Sequence, residues 1–205
     1  MTETPERKIG VLALQGDFAA HGRMFERTGC AWVQVRKPSQ LAGVAGLVLP
    51  GGESTTQLKL MTACDMERAL LEFHASGRPI FGTCAGVILL ATEVRNPSQH
   101  CFNLLDITVE RNSYGRQVDS FESSGIYRDE TCAEERELEM VFIRAPRITR
   151  VGAGVQVLAW HRDEPVLVRA GTVLGATFHP EMTGDTTVHR LFTRLCCTPD
   201  QCAIP

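Results

Sequence analysis

Three short apolar runs in the first half of the chain each end on a turn of small residues and lead into a helix-forming pattern. They are Ile9-Gly-Val-Leu-Ala-Leu14, Gly46-Leu-Val-Leu-Pro50 and Pro79-Ile-Phe-Gly82. A strand with one wet face alternates apolar and polar residues. An unbroken apolar run instead marks a strand buried on both faces, as in a parallel sheet covered by helices. The segments between the runs fit that reading. Asp17 is placed to cap a helix reaching about Thr28 and closed by Gly29, and Trp32 to Arg36 reads as a short strand. Ser54 reads as the N-cap of the next helix and Asp65 as the cap of another. In that second helix Met66, Ala69, Leu70 and Phe73 fall at i, i+3, i+4 and i+7 before Gly77 stops it. A further helix follows Thr83-Cys84-Ala85-Gly86 and runs through about Ala91. This β-turn-α rhythm predicts an α/β protein, a three-layer α/β/α fold with a mixed, mostly parallel central sheet.

The pattern changes after about Leu104. Asp106 to Arg111, Glu139 to Ile143, Val155 to Trp160, Val166 to Ala170 and Val173 to Phe178 read as strands with few helices between them, so antiparallel additions to the sheet are expected. The polar segment Tyr127 to Glu137 reads as an exposed loop. Asp185 to Cys196 carries Val188, Leu191, Phe192 and Leu195 at helical spacing, and the tail from Thr198 is expected to fray. At 205 residues the chain is expected to form one domain, with an ordered core from about residue 8 to residue 197.

Composition narrows the function classes. Net charge is −3 with the two signs interspersed, which argues against a nucleic-acid surface. No apolar run is long enough to span a bilayer, and Met1 to Lys8 has no secretory h-region, so a cytoplasmic protein is expected. The eight cysteines include no C-x-x-C pair, and most read as reduced, small apolar fillers. Cys202-Ala-Ile-Pro205 has the outline of a prenylation box, but the final proline and the lack of a preceding basic run argue against lipidation.

Chemistry concentrates in three places. Gly82-Thr83-Cys84-Ala85-Gly86 follows a strand and precedes a helix, which is the shape of a nucleophile elbow with sulfur in place of oxygen. A strained turn would hold Cys84 at the carboxyl edge of the sheet, with the helix N-terminus favouring its thiolate and the Ala85 amide aimed where an oxyanion forms. Phe178-His179-Pro180-Glu181 closes another strand. A thiol needs a base to take its proton and return it to the leaving group, and the base needs an acceptor to fix its tautomer; His179 and Glu181 can supply both. The other histidines, at 21, 74, 100, 161 and 189, lack such a setting, and His74 and His189 read as surface or packing residues. Finally, Leu49-Pro50-Gly51-Gly52-Glu53-Ser54 lacks the Lys-Ser/Thr end of a P-loop and reads as an oxyanion or substrate loop at the same edge.

Together these motifs resemble the class I glutamine amidotransferases, and more narrowly the glutaminase subunits of pyridoxal 5′-phosphate synthase. The narrower resemblance rests on Val11-Leu-Ala-Leu-Gln-Gly16, Pro50-Gly-Gly-Glu-Ser-Thr-Thr56, Phe81-Gly-Thr-Cys-Ala-Gly86, Val141-Phe-Ile-Arg-Ala-Pro146, Phe178-His-Pro-Glu-Met-Thr183 and, most specifically, Glu110-Arg-Asn-Ser-Tyr-Gly-Arg-Gln-Val-Asp-Ser-Phe-Glu122. It implies Cys84 as nucleophile, His179 as base and Glu181 as orienting acid. It also implies Gly52 and Ala85 amides as oxyanion donors, and Gly52, Glu53, Ser54, Arg111, Ile143 and Arg144 around the glutamine. The implied reaction is glutamine plus water giving glutamate and ammonia, with no metal or cofactor in this chain. The implied partner is a synthase subunit in a large hetero-oligomer. Phe102-Asn103 stands where the family usually has Leu-Gly, the segment around Thr131 to Glu139 is unusually acidic, and the Cys-rich end has no counterpart. A non-catalytic copy of the fold would have no need to keep Cys84, His179 and Glu181, and an amidotransferase of another pathway would lack the Arg111-to-Glu122 run.

Overall fold

The computed structural model describes residues 8–111, 120–129 and 132–197. The tail from Thr198, with the Cys202 box, and most of the Arg111-to-Glu122 run lie outside the described residues. Five strands form a parallel array: β1 (Lys8–Leu12), β2 (Trp32–Val35), β3 (Val44–Leu49), β4 (Ile80–Thr83) and β12 (Val173–Ala176). They lie in the order β2-β1-β3-β4-β12. The sheet continues antiparallel through β11 (Glu164–Ala170), β10 (Gln156–His161), β7 (Ser120–Asp129) and β8 (Cys132–Ile143). A second sheet, in the order β5-β6-β9, is made by β5 (Ala91–Arg95), β6 (Leu105–Glu110) and β9 (Arg147–Val151).

The unbroken apolar runs are explained by burial on both faces. In β3, Leu47 and Leu49 join one core while Ala45 and Val48 join the other; in β4, Ile80 and Phe81 divide the same way. One face is covered by α1 (Phe18–Arg27) and α5 (Thr187–Cys196), through Phe25, Val188, Leu191 and Phe192. The other is covered by α2 (Ser54–Ala63), α3 (Met66–Ala75), α4 (Ala85–Leu90) and the small sheet. No helix among the described residues is long and apolar enough to cross a membrane.

Several local expectations hold. The Asp17 side chain accepts from the Ala20 amide at 3.1 Å and caps α1. Gly29 and Gly77 follow their helices at φ 73° and 81°, the left-handed region that stops a helix. Asn103, where the family usually carries glycine, has φ 57°, and asparagine is one of the few other residues that visit this region routinely. That departure therefore leaves the turn intact.

Other expectations are corrected. The N-cap of α2 is Glu53, whose carboxylate accepts from the Thr55 amide at 3.3 Å; Ser54 is the first helical residue and is buried. Asp65 stands at the N-cap of α3 but in left-handed backbone, φ 56°, with no side-chain capping bond. The largest correction is Tyr127 to Glu137, whose described residues are not an exposed loop but belong to the paired strands β7 and β8, with Tyr127 fully buried. Its two-residue alternation was masked because the half-buried positions of β7 include Ser123 and Gly125, while Ile126 points outward. The hairpin adds two antiparallel pairings to the mixed main sheet, five of whose nine strands belong to the parallel array. β5 and β9 were also unforeseen, since each mixes buried Ala91, Val94 or Ile148 with exposed charged residues and shows no apolar run.

Candidate active site

Parallel strands share one carboxyl edge, and β3, β4 and β12 each deliver a motif to it. After β4, Cys84 has φ 48° and ψ −101°, a strained conformation for a residue with a Cβ. Packing enforces it. A Cβ on Gly82 would lie 2.6 Å from the Gly86 carbonyl carbon, and one on Gly86 would lie 2.1 Å from the Leu49 oxygen. The two glycines let α4 settle directly onto β3 and β4. The Cys84 amide donates to Ala176 O at 2.8 Å, which ties the elbow to β12.

His179 follows β12, and its amide donates to Val141 O of β8 at 2.8 Å. Its Nδ1 is 2.8 Å from Glu181 Oε1, and Cys84 stands close enough to the ring to act on its protonation. With Nδ1 taken by the carboxylate, Nε2 is the nitrogen left for the thiol. All three side chains are buried, and Cys84 Sγ lies 3.8 Å from Ile143 O. Burial alone would lower the His179 pKa. The hydrogen bonds and charges of Cys84 and Glu181 outweigh it and raise the value to about 10. Burial likewise works against an ionised Glu181, but His21 and His179 hold its carboxyl down at about 2.

These shifts set a stability expectation. A histidine pKa raised on folding stabilises fully below its unfolded value near 6.5 and loses that contribution as pH rises through the folded value. Melting temperature should therefore fall between pH 6.5 and about 10 as His179 gives up its proton. Cys84→Ala removes one of the two groups that raise the pKa, so the fall should begin at the same pH, end at lower pH and be smaller in total. Thermal melts at pH 6, 8 and 10 check this, and superimposable profiles for the two proteins would refute it.

A cleft of about 140 Å³ opens beside Cys84, lined by Gly52, Glu53, Ser54, Cys84, Ile88, Arg111, Ile143, Arg144, Pro146 and His179. That is small against the roughly 300–1,000 Å³ of drug-sized sites and suits an amino acid. Every residue expected around the substrate lines it. Arg111 Nη2 is 3.2 Å from Glu53 Oε1, with the arginine side chain mostly buried. Burial raises the Glu53 pKa, but the Thr55 hydrogen bonds, Arg111 and Arg144 bring it below its ordinary value. Ser54 Oγ donates to Gln99 Oε1 at 2.8 Å. Ala85 heads α4 immediately after the nucleophile.

The Gly51-Gly52 turn is held from behind by Gln15, whose Oε1 accepts from the Glu53 amide at 3.3 Å and whose Nε2 is 3.2 Å from Gln57 Oε1. A Cβ on Gly51 would sit 2.3 Å from the His179 ring, and Gly52 has φ 140°. Sequence reasoning missed Ile88 and Gln99, which lie in no motif, and gave no role to Pro146, which closes the Val141-to-Pro146 motif. It also set His21 aside, yet His21 Nε2 lies 3.4 Å from Glu181 Oε2. The available signal was helical spacing: His21 shares a face of α1 with Phe18 and Phe25, so it had to point inward.

Residues 11–198 match the model of the SNO glutamine amidotransferase family. The chain belongs to that family. It is 55% identical over 188 residues to a Koribacter versatilis protein named pyridoxal 5′-phosphate synthase subunit PdxT, covering 92% of this chain and 95% of that protein. A Thermotoga maritima protein of the same name is 46% identical, with 92% and 98% covered. A crystal structure described as a glutamine amidotransferase superimposes with TM-score 0.85 at 45% identity, over 92% of this chain and 98% of that one. The fold also extends to the PurLQS structure from Thermotoga maritima, TM-score 0.72 at 15% identity. This family member is thus a glutamine amidotransferase in fold and in class of activity.

Proposed function

We propose that the chain is the glutaminase subunit of a pyridoxal 5′-phosphate synthase, hydrolysing L-glutamine and passing the ammonia to a synthase subunit within a large hetero-oligomer. The observation that carries the chemistry is the alignment of Cys84, His179 and Glu181 at a cleft rimmed by Arg111, Arg144 and Glu53. The assignment to this synthase rests on relatives of that name at 45–55% identity over nearly the whole chain.

In this reading Cys84 Sγ attacks the side-chain amide carbon as the thiolate, its proton residing on His179. The carbonyl electrons move onto oxygen, where the Ala85 and Gly52 amides receive the charge. As the carbon–nitrogen bond breaks, His179 gives its proton to the departing ammonia and a thioester remains. A water then loses a proton to His179 and attacks the thioester, and glutamate leaves as the thiol is restored. Glu181 keeps its charge throughout and orients the imidazole. Arg111 and Arg144 suit the substrate carboxylate, since a guanidinium fork matches two oxygens, and Glu53 suits its ammonium group. Ser54 and Ile143 complete the walls. A cytoplasmic site of action fits the free thiol that the reaction needs.

The deciding assay is glutamate and ammonia formation from glutamine by the full chain with the synthase subunit present; no hydrolysis under those conditions would end the proposal. Arg111→Ala should raise KM for glutamine about tenfold or more while changing kcat little, because a carboxylate held equally in ground and transition states contributes to binding alone. An unchanged KM in steady-state kinetics would remove Arg111 from the substrate site.

A further inference from the structure

Behind the cleft lies a second set of polar side chains that the reaction as written does not use. His21 on α1 and His189 on α5 are both fully buried, and they meet across the core with His21 Nδ1 3.0 Å from His189 Nε2. The other His21 nitrogen, Nε2, faces Thr83 Oγ1 at 3.2 Å and Glu181 Oε2 at 3.4 Å. Phe25, Phe81 and Phe192 surround the two rings. Two imidazoles in so apolar a setting are costly to bury unless they serve a partner.

The geometry fixes their tautomers. Glu181 turns Oε1 to His179 and Oε2 toward His21. A lone pair on His21 Nε2 would repel that carboxylate, so Nε2 carries the proton. His21 Nδ1 is then an acceptor and must receive the Nε2–H of His189. His189 Nδ1 becomes a bare lone pair, and it has no hydrogen-bond partner among the described residues. The reverse arrangement would leave a buried N–H orphaned there, the rarer and costlier fault. Both rings are neutral in this scheme, in keeping with pKa values that burial lowers, for His189 to about 3.

We propose that His21 is a positioning residue of this site: as the Nε2–H tautomer, held in turn by His189, it directs its N–H at the Glu181 carboxylate and fixes that carboxylate against His179. The inference rests on Glu181 being the orienting acid. Oε2 accepts no hydrogen bond as it stands, and His21 Nε2, 3.4 Å away and hydrogen-bonded to Thr83, is the buried donor placed to supply one and so to hold the carboxylate against His179. The 3.4 Å separation, with Thr83 Oγ1 sharing the donor, is a contact that tightens when the imidazolium of His179 draws on the carboxylate during the reaction. The groups acting on this cluster are Glu181 and His179 from the turn after β12, Asp17 at the head of α1, Arg27 at its end, Thr83 of β4 and His189 of α5.

The test compares His21→Leu with His21→Gln in the full chain, with the synthase subunit present. Leucine fills the site without a donor, whereas the glutamine amide brings an N–H to the reach of Nε2. His21→Leu should lower kcat about tenfold or more with KM within about twofold, the size expected for losing a hydrogen bond to a charged group. It should also move the acid limb of the kcat profile to higher pH, because Glu181 takes up a proton more easily once its donor is gone. His21→Gln should recover most of the rate. An unchanged kcat, a loss of the same proportion at every pH, or no recovery with glutamine would overturn the proposal. Should the leucine variant not fold, two-bond proton–nitrogen spectra of the unaltered protein decide. Neutral Nε2–H forms of His21 and His189 between pH 6 and 8 are required, and a cationic ring or an Nδ1–H form at His21 defeats the scheme. Glu181→Gln separates the two readings: if it is as active as the unaltered protein the triad fails, and if it is inactive while His21→Leu is not, only the role of His21 fails.

Discussion

Cys84→Ser should lose glutamine hydrolysis by at least about 10³-fold, the scale seen when a nucleophile is removed from a triad, while keeping its fold. The substitution exchanges one atom. The Cβ that sits in strained backbone at φ 48° is unchanged, the glycines at 82 and 86 are untouched, and the hydrogen bond from the residue-84 amide to Ala176 O is retained. What changes is the nucleophile, because a hydroxyl gives up its proton far less readily than a thiol. His179 changes with it, since Cys84 is among the groups that raise its pKa. The melting temperature measured near neutral pH should move little, which distinguishes lost chemistry from lost structure. Turnover at about a tenth of the unaltered rate or more would be irreconcilable with a covalent thioester. A glutamine-like affinity label offers an independent reading. Mass spectrometry should find it on Cys84, which lines the cleft, before Cys30, Cys64 or Cys101, which do not.

The parallel half of the molecule was legible because its signal is local. An apolar run, a glycine turn and a helix pattern lie within a few residues of one another, and the same short stretches hold Gly52, Cys84 and His179. The antiparallel half was less so. In β7 Ser123 and Gly125 take half-buried positions while Ile126 points outward, so its alternation has little hydrophobic contrast, whereas in β8 buried Leu138, Met140 and Phe142 do alternate with outward Glu137 and Glu139. Yet that hairpin is part of the site. Val141 O receives the His179 amide and Ile143 O faces the Cys84 sulfur, both from the last turns of β8. The buried relay was illegible for a different reason. His21 and His189 lie 168 positions apart, and each alone is an ordinary helix histidine. Helical spacing with Phe18 and Phe25 turns His21 inward, but only the packing of α1 against α5 over β4 brings the nitrogens of the two rings together.

The other large effect expected is activation by the synthase subunit, at least about tenfold in kcat, with the isolated chain a poor glutaminase. Ammonia is mostly protonated at neutral pH and then is not a nucleophile, so a subunit that released it to solvent would consume glutamine to no purpose. The expected control point is the Gly51-Gly52 peptide. Its oxygen abuts Gly16, where an added Cβ would lie 1.9 Å away, and the following residue, Glu53, is tethered by the Gln15 side chain. Turning this peptide over would redirect the Gly52 N–H relative to the oxyanion site, and two adjacent glycines make such a rotation cheap. Presence or absence of one oxyanion donor is worth roughly 2.7–4 kcal/mol, about 10²–10³ in rate, which is ample for the switch. A partner touching the Gln15-Gly16 turn would act only through a difference in affinity for the two peptide orientations. Gly52→Val should abolish the activation. Its Cβ would meet the Gln15 amide at 2.5 Å, and valine at φ 140° resists the backbone the turn requires. Gln15→Ala should weaken activation without that strain, because it frees the tether and leaves the glycines in place. Steady-state turnover with and without the synthase subunit measures both. Equal kcat for the chain alone and in complex would defeat the switch, and full activation of Gly52→Val would move the control point away from this peptide.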